Sequence, residues 1–409
     1  MFCGIDWAEA HHDVAVVDEA GTAVVSARIG NDAAGFTRLL SVLADAGDTP
    51  EDPIPVAIET DRGLLVAALR ATDRPIYPIN PLSASRYRSR QQVSGSKSDA
   101  ADAVLLANIL RTDAAAHRPL PADTELAQAI RVLARAQQDA VWSRQQIGNQ
   151  VRALLKDFYP AALDAFAGLS EGGLARRDAR VVLAAAPTPA AAAKLTRVQL
   201  SKLLGTAGRK RNIDTDVERL CSVFRAANHL RQPQVVENAM GIGLTALLGQ
   251  LDAACRAAEA LAEAAIAHFD LHPDATIIIS FPGLGQLTGA RVLAETGDDP
   301  TRFADARGLK AYAGSAPITR ASGKKSVVLH RHIKNRRLAA VGPIWALSSL
   351  RASPGARRHF DARRTAGDWN HQAQRHLFNK FLGQLHHCLR TRGLYDENQA
   401  FPPSLAFAA

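Results

Sequence analysis

The chain has 409 residues, of which 47% are hydrophobic, and it carries a formal net charge of +9. This size and composition support two or three domains with a sizeable core and exclude a disordered protein. They also exclude a membrane span of roughly 20 apolar residues, and the four cysteines lack the CxxC spacing of a zinc site or a disulfide framework.

The first 118 residues are predicted to form an α/β domain that opens with a meander. Three short strands are expected over FCGIDWA, HDVAVVD and TAVVSARI, and Gly21 in the second turn favours antiparallel pairing. Helix, strand, helix and strand follow as far as Pro81, and a last helix begins after Ser98, a suitable N-cap. This order of elements predicts a fold of the ribonuclease H type.

Four carboxylates of this domain are candidate metal ligands. Asp6 and Glu59 interrupt or close strand-like apolar runs, where an unpaired acid is costly. Asp99 and Asp102 lie three residues apart on the predicted helix and so point the same way. Together these acids suit a pair of Mg²⁺ ions. A strand exit at Glu59 and a favourable helix dipole at Asp99 are explanations that need no metal.

The segment from 119 to 270 is predicted to be helical, with a coiled-coil pattern in its first half. Between Leu126 and Phe158, seam positions recur in steps of four and three, interrupted by Gln137 and Arg144. Polar residues in such a seam fix its register. The partner is either a second chain, which would give a dimer or a dimer of dimers, or the second long helix of the same segment.

A basic, mainly helical domain is predicted over residues 271–393, followed by a flexible tail at 394–409. Its glycine-rich stretch misses the spacing of a dinucleotide-binding loop. Gly283 and Gly285 instead indicate the turn of a helix-hairpin-helix, in which backbone amides at a helix N-terminus approach a DNA phosphate. A plain glycine turn is the alternative.

Charge is distributed unevenly along the chain. Residues 1–60 hold eleven acids against two arginines, whereas residues 302–392 hold nineteen Lys and Arg against three acids. The acidic end suits cations and the basic end suits a phosphate backbone, with a solvated charged surface as the alternative. The candidate nucleic-acid contacts, besides the two glycines, are Arg86, Arg88, Arg90, Lys97, Arg320, Lys324, Lys325, Arg331, Lys334, Arg336 and Arg337.

Ser322, next to Gly323 in this basic stretch, is a candidate nucleophile. A hydroxyl attacks phosphorus only where a base, a metal or dense positive charge stabilises the alkoxide and the transition state. The residues alone leave open a Ser-Gly turn that only displays basic side chains. Ser315 and Ser326 compete for the same role.

Several motifs carry a resemblance to a known family. They are GIDWA from residue 4, AIET, INP at 79–81, KSDAADA, FPGLGQLTGARVLAETGD and AGSAPITRASGKK. Through them the chain, from residue 4 to about residue 390, resembles the DEDD transposases of the IS110 family of bacterial insertion sequences. These are recombinases guided by a bridge RNA.

The resemblance implies that Asp6, Glu59, Asp99 and Asp102 are the magnesium ligands of a RuvC-like domain. It also implies that Ser322 forms a transient phosphoserine link to DNA, which conserves the phosphodiester energy so that strands rejoin without ATP. A bridge RNA would select donor and target DNA. The expected setting is the bacterial cytoplasm, in association with the nucleoid and without a membrane.

Two other functions remain open from the residues. In a RuvC-like hydrolytic DNA endonuclease, water would replace Ser322 and the basic region would only bind nucleic acid. In a non-catalytic nucleic-acid-binding protein, the four acids would be structural. The sequence also leaves open whether one protomer or two would supply the acids and the serine.

Overall fold

The computed structural model describes residues 1–91, 98–167, 173–226, 228–323 and 325–402, with the side chains at 90 and 91 outside the description. By its internal contacts the chain divides into two compact units, Met1–Ala122 and Asp123–Ala409. The predicted domain boundaries at 118 and 270 remain predictions.

Unit 1 is built on a mixed five-stranded sheet. Its strands are β1 (Phe2–Trp7), β2 (His11–Val17), β3 (Ala23–Gly30), β4 (Val56–Ile58) and β5 (Ile76–Pro78). They lie in the order β3-β2-β1-β4-β5, with β1, β2 and β3 antiparallel and both β4 and β5 parallel to β1. The predicted meander is confirmed, and Gly21 has the positive φ of 87° that its turn requires.

Helices cover both faces of this sheet. They are α1 (Ala33–Asp45), α2 (Leu64–Arg70), α3 (Pro81–Gln91) and α4 (Asp99–Asp113). Ile5 of β1 points into a cluster with Leu39 of α1 and Leu69 of α2, whereas Gly4, one residue away, faces α4. The α/β class and the Ser98 N-cap are confirmed, and α3 was not predicted.

Unit 2 is mainly helical, as predicted. Its elements are α5 (Glu125–Phe158), α6 (Pro160–Ala165), α7 (Arg177–Ala185), α8 (Pro189–Ala193), α9 (Arg197–Thr206), α10 (Ile213–Arg225), α11 (Gln234–Asp270), α12 (Ala275–Ile279), α13 (Gln286–Thr296), α14 (Ala306–Tyr312), β6 (Ile318–Ser322), β7 (Lys325–Leu329), α15 (Arg336–Ala352), α16 (Pro354–Thr365), α17 (Asn370–Thr391) and α18 (Glu397–Ala400). None of the helices in the described parts of the chain combines the length and the apolarity needed to cross a membrane.

The long helix α5 packs against α11 of the same chain. Val151 and Leu155 of α5 share one hydrophobic cluster with Leu244 and Leu248 of α11. Gln137, the polar seam residue, is buried and accepts a 3.1 Å hydrogen bond from Arg291 of α13. The intramolecular alternative therefore accounts for these parts of the seam, and a coiled coil with a second chain remains a prediction.

The chain after residue 393 differs from the predicted flexible tail as far as residue 402. It forms α18, and Phe401 is buried in the hydrophobic cluster of α13, α15 and α17. Glu397 of α18 accepts hydrogen bonds from the Ser353 hydroxyl and the Gly355 amide, both at 2.7 Å. The buried Phe401 side chain and the hydrogen-bonded, half-buried Glu397 carboxylate thus hold this segment on the unit 2 core.

Candidate active site

Asp6 lies on β1, and Glu59 directly follows the neighbouring parallel strand β4. The register of β1 and β4 pairs Cys3 with Val56 and ends with Ile5 opposite Ile58, so each acid is the next residue after the last registered pair. Both side chains are half-buried. Because side chains alternate across a strand, Asp6 is on the same face as Gly4, which is the face covered by α4.

Gly4 lets α4 approach the sheet. A Cβ on this residue would lie 2.1 Å from the Ala103 carbonyl oxygen and 2.4 Å from the Ala107 amide nitrogen. The first turn of the same helix carries Asp99, which is exposed, and Asp102, which is buried. The helix therefore brings its first-turn carboxylates to the face of the sheet on which Asp6 lies.

Arg88 of α3 is paired with Asp102. Its Nε and Nη2 atoms donate hydrogen bonds to the same carboxylate oxygen at 2.9 and 2.6 Å. The sequence predicted Arg88 as a nucleic-acid contact, and the structure adds this ion pair. Arg86, two residues earlier on α3, is exposed.

Sequence reasoning missed Asp13 as a member of the acidic site. Asp13 is directly opposite Asp6 in the antiparallel register of β1 and β2, and it accepts hydrogen bonds from Arg28 at 3.1 and 2.9 Å. In the described residues, ligand atoms of His11, Asp13 and Asp99 lie within 4.8 Å of one another. The signal was available, since Asp13 is an acid inside an apolar strand run, as Asp6 is.

The donor chemistry of this group fits a hard divalent ion. Carboxylate oxygens suit Mg²⁺ and Mn²⁺, and an imidazole nitrogen is better tolerated by Mn²⁺. His12, the neighbour of His11, is not a solvent-exposed histidine. It is fully buried, the ring of Trp7 stacks on it at 6.5 Å between centroids, and burial lowers its pKa.

Ser322 lies at the tip of an exposed β-hairpin in unit 2. Strands β6 and β7 are antiparallel, and Ser322 pairs with Lys325 across the turn that contains Gly323 at φ 56°. Every described residue from Thr319 to His330 is exposed. Lys325 is the register partner of Ser322, and Arg320 lies two residues before Ser322 on β6. Lys324 lies outside the described residues. The tip therefore presents a hydroxyl and cationic groups to solvent.

The two competing serines have different environments. Ser315 is buried, donates to the Lys310 carbonyl at 3.2 Å and accepts from the Asn379 amide at 2.9 Å. These contacts make it a structural residue. Ser326 is exposed on β7 and pairs with Ala321 in the hairpin register.

The other predicted cationic contacts divide by their surroundings. Arg336 is exposed, whereas Arg337 donates to Asp139 of α5 at 2.8 Å and lies 5.1 Å over the Trp142 ring. Arg331 donates to the Ala316 carbonyl. Lys334 lies 3.0 Å from the ring of the exposed His330, whose pKa is lowered by partial desolvation and by the neighbouring Lys334, Arg375 and His332. Lys97 and the Arg90 side chain lie outside the description.

The glycine turn between α12 and α13 has a clear packing role. Gly283 has φ 82°, and a Cβ there would lie 2.4 Å from the Ser349 amide nitrogen of α15. Gly285 is the N-cap of α13, is exposed and has open space around its Cβ position. Only Gly285 thus has the accessibility that a phosphate contact requires.

Two family models match the chain. A DEDD transposase model of the IS110 type covers residues 3–160, and a model of the IS116/IS110/IS902 transposase family covers residues 275–361. The protein assigned as transposase to the IS117 mini-circle of Streptomyces coelicolor is 61% identical over 409 residues, with 100% of this chain and 98% of that protein covered. The chain belongs to the IS110 family of transposases.

More distant members show the same extent of similarity. The 42 kDa protein of insertion element IS900 from Mycobacterium paratuberculosis is 29% identical over 97% of each chain. The 43.6 kDa protein of IS110 from Streptomyces coelicolor is 26% identical over 99% of this chain and 98% of its own. As a transposase, the chain is a DNA recombination enzyme, and membership of a DEDD family implies dependence on a divalent metal.

Proposed function

We propose that this transposase cleaves and rejoins DNA with a metal-dependent DEDD site in unit 1 and a serine nucleophile in unit 2. Asp6, Glu59, Asp99 and Asp102 would hold the metal, for which Mg²⁺ is the ion we propose. The observation that supports the proposal is the register of β1 and β4, which ends with Ile5 opposite Ile58, one residue before Asp6 and Glu59, next to the sheet face on which α4 packs at Gly4.

The fold proposed for unit 1 is that of a RuvC-like, ribonuclease-H-type domain. Its support is the strand order β3-β2-β1-β4-β5, with three antiparallel strands followed by two parallel ones. The positions of the acids also support it: Asp6 lies near the end of β1, Glu59 directly follows β4, and α4 carries the other two in its first turn. Within the described residues, the ligand atoms that lie within 4.8 Å of one another are those of Asp99, His11 and Asp13. When bound, two ions supply charge stabilisation at the entering and leaving oxygens of a phosphodiester displacement.

Ser322 is the nucleophile that we propose. Its Oγ forms a bond to phosphorus while the bond from phosphorus to one sugar oxygen breaks, and the hydroxyl proton leaves as that sugar oxygen is released as a hydroxyl. A strand hydroxyl reverses the step and frees the serine, so no external energy source is needed. Exposure of the hairpin tip and its cationic neighbours support this role.

A covalent-adduct assay tests the serine. Protein purified with the co-expressed element RNA would be incubated with Mg²⁺ and two labelled DNA substrates, and protein-linked DNA would be resolved on a denaturing gel. We expect Ser322→Ala to lose the adduct and recombination, and Ser326→Ala, a change of the same size on the same hairpin, to retain both. DNA cutting that persists in Ser322→Ala without an adduct would instead indicate a hydrolytic nuclease.

The same assay tests the acids. Asp102→Asn should reduce DNA processing by at least about a hundredfold while DNA binding is retained, because a neutral amide is a weak ligand for Mg²⁺. Processing at the wild-type rate would favour the structural role of the acids. Mixing Asp102→Asn protein with Ser322→Ala protein tests whether the acids and the serine come from different protomers. Recombination by the mixture, when neither variant recombines alone, would require a homo-oligomer in which one protomer supplies the acids and the other the serine.

Guidance by a bridge RNA is the remaining part of the proposal. It is supported by family membership and by the exposed cationic residues, which suit backbone contacts better than base readout. The test exchanges the target-pairing segment of the co-expressed RNA and maps the insertion sites. Sites that follow the RNA support guidance, and sites that stay constant contradict it.

A further inference from the structure

A cavity of about 830 Å³ in unit 2 lies between the middle of α5, the start of α7 and the second half of α11. Its lining is strongly basic, with six arginines against Asp252 and Glu259. The arginines are Arg144, Arg152, Arg176, Arg177, Arg180 and Arg256. We call this the arginine cavity. Such a surplus of guanidinium groups in a concave site attracts anions.

Three of these arginines are held by acids of the protein. Arg180 and Arg256 donate to the two oxygens of Asp252 at 2.6 and 2.9 Å, and Arg176 forms a bidentate pair with Asp178. These contacts give the cavity a fixed wall. Its shape is therefore largely formed before any ligand enters.

The other three arginines have unused binding capacity. Across the described residues, no carboxylate lies within 4.0 Å of the guanidinium groups of Arg144, Arg152 or Arg177. The Arg180 side chain is 9% exposed, and its Nε atom is buried without a hydrogen-bond partner in the same described set. A buried donor of this kind is costly unless a ligand or water meets it.

We propose that the arginine cavity binds consecutive phosphates of a non-duplex nucleic-acid strand. Guanidinium groups bind phosphate oxygens in bidentate fashion, and four or more of them around one cavity match several phosphates at once. The recess between the three helices is concave and can admit a single strand that is not base-paired. A duplex has a convex surface and would not enter it. Unpaired loops and ends are the parts of RNA that proteins enter most readily.

The cavity binds phosphates rather than reading bases. Its described lining contains no aromatic ring on which a base would stack, and the side chains of Gln145 and Asn149 hydrogen-bond to each other at 3.1 Å. Affinity should therefore depend on salt more than on sequence. This contact lies outside the proposed metal and serine sites and does not depend on their chemistry.

The test measures binding of the full chain to fluorescent single-stranded RNA, single-stranded DNA of the same sequence and duplex DNA, in EDTA. The variant Arg144→Gln, Arg152→Gln, Arg177→Gln should bind single strands roughly tenfold more weakly at low salt. Its slope of log affinity against log salt should fall by about two, which is three contacts at about 0.7 each. If the arginine variant loses affinity for single-stranded RNA alone, the ligand is RNA. If it loses affinity equally for single-stranded RNA and DNA, the cavity recognises the phosphates that the two share.

A matched control carries the same charge loss on exposed lysines outside the cavity: Lys156→Gln, Lys194→Gln, Lys202→Gln. It should retain the wild-type salt slope, and circular dichroism and melting curves should confirm that both variants fold. Single-strand binding by the arginine variant that equals that of the control overturns the proposal. A loss of affinity for duplex DNA as large as the loss for single strands would also overturn the proposal. Because no metal is present, failure here is separate from failure of the catalytic proposal.

Discussion

Arg88 and Asp102 form a short ion pair, in which both donor atoms of the arginine reach one oxygen of the carboxylate. The side chain of Asp102 is 7% exposed and that of Arg88 is 25% exposed. If Asp102 is a metal ligand, the arginine competes with the ion for this carboxylate. In that case the state of Arg88 would affect metal binding at Asp102.

Replacing Arg88 should strengthen metal binding. We expect Arg88→Ala to raise Mg²⁺ affinity roughly fivefold, since a partly exposed ion pair contributes about 1 kcal/mol. Isothermal titration with Mg²⁺ measures this. Arg86→Ala removes the same charge from an exposed position on α3 and should change the affinity much less. Equal effects of the two variants would mean that only general charge matters.

Gly4→Ala should separate α4 from the sheet. The added methyl group would overlap the backbone of α4 at Ala103 and Ala107, and backbone cannot move aside locally. We expect a loss of about 2–3 kcal/mol in the free energy of unfolding of unit 1, together with reduced recombination because Asp102 moves with the helix. Denaturant unfolding and the recombination assay measure the two effects.

The control for this prediction is Gly249→Ala in α11. Its Cβ would meet nothing within 4 Å, and it lies in the middle of a helix. Alanine there should stabilise the protein by about 0.5–1 kcal/mol. A Gly4→Ala protein as stable as the wild type would contradict the close approach of α4.

The glycines at 283 and 285 should behave differently when changed to alanine. Gly283→Ala should destabilise unit 2 by about 1–3 kcal/mol, because it combines a positive φ with overlap of the Ser349 backbone. Gly285→Ala should leave the melting temperature nearly unchanged and weaken DNA binding if the α13 amides contact phosphate. Melting curves and filter binding distinguish the two, and wild-type DNA binding by Gly285→Ala would count against the helix-hairpin-helix proposal.

The anchoring of the C-terminal segment should depend on pH through Glu397. Burial would raise the pKa of this carboxyl, but hydrogen bonds from Tyr395, Ser353 and Gly355 outweigh burial and hold it below the ordinary value of 4.5. A depressed folded pKa contributes stability above about pH 4.5, and that stability is lost as the pH falls through the folded value.

Glu397→Gln should therefore cost about 1–2 kcal/mol at pH 7 and flatten the decrease in stability on acidification. Melting temperatures between pH 7 and pH 3 measure both effects. Asp361→Asn is the control, because its exposed pair with Arg357 at 3.9 Å should contribute less than about 0.5 kcal/mol. An unchanged pH profile in Glu397→Gln would contradict the assigned hydrogen bonds.

Local chemistry made much of unit 1 predictable from the sequence. Alternating apolar residues, Gly21 and the Ser98 N-cap were sufficient for the meander and for the start of α4. Asp13, although an acid inside an apolar strand run, was missed because its place opposite Asp6 depends on strand register, which is a property of paired strands. Arg88 was assigned to nucleic acid because α3, which directs it to Asp102, has no clear apolar periodicity.

In unit 2, the heptad pattern of α5 was compatible with two kinds of helix partner. The heptad seam of α5 predicted a helix partner without specifying the chain, and the contact of Gln137 with Arg291 depends on tertiary packing. The part of the predicted tail as far as residue 402 differs from the prediction because Phe401 and Glu397 have specific partners that its loop-like composition does not indicate. The arginine cavity is formed by segments that are far apart in sequence, so no local motif indicates it.

The helix α5 belongs to two separate cores. Ile130 and Ala134 lie in the cluster of the C-terminal helices, Val151 and Leu155 lie in the cluster of α6 to α11, and none of residues 141–150 is buried. Its 34 residues make a rod about 51 Å long. One residue inserted in that middle stretch would turn one core relative to the other by about 100° and lengthen their separation by about 1.5 Å. An insertion or deletion in this stretch should therefore disturb both cores more than a substitution of one of its exposed side chains.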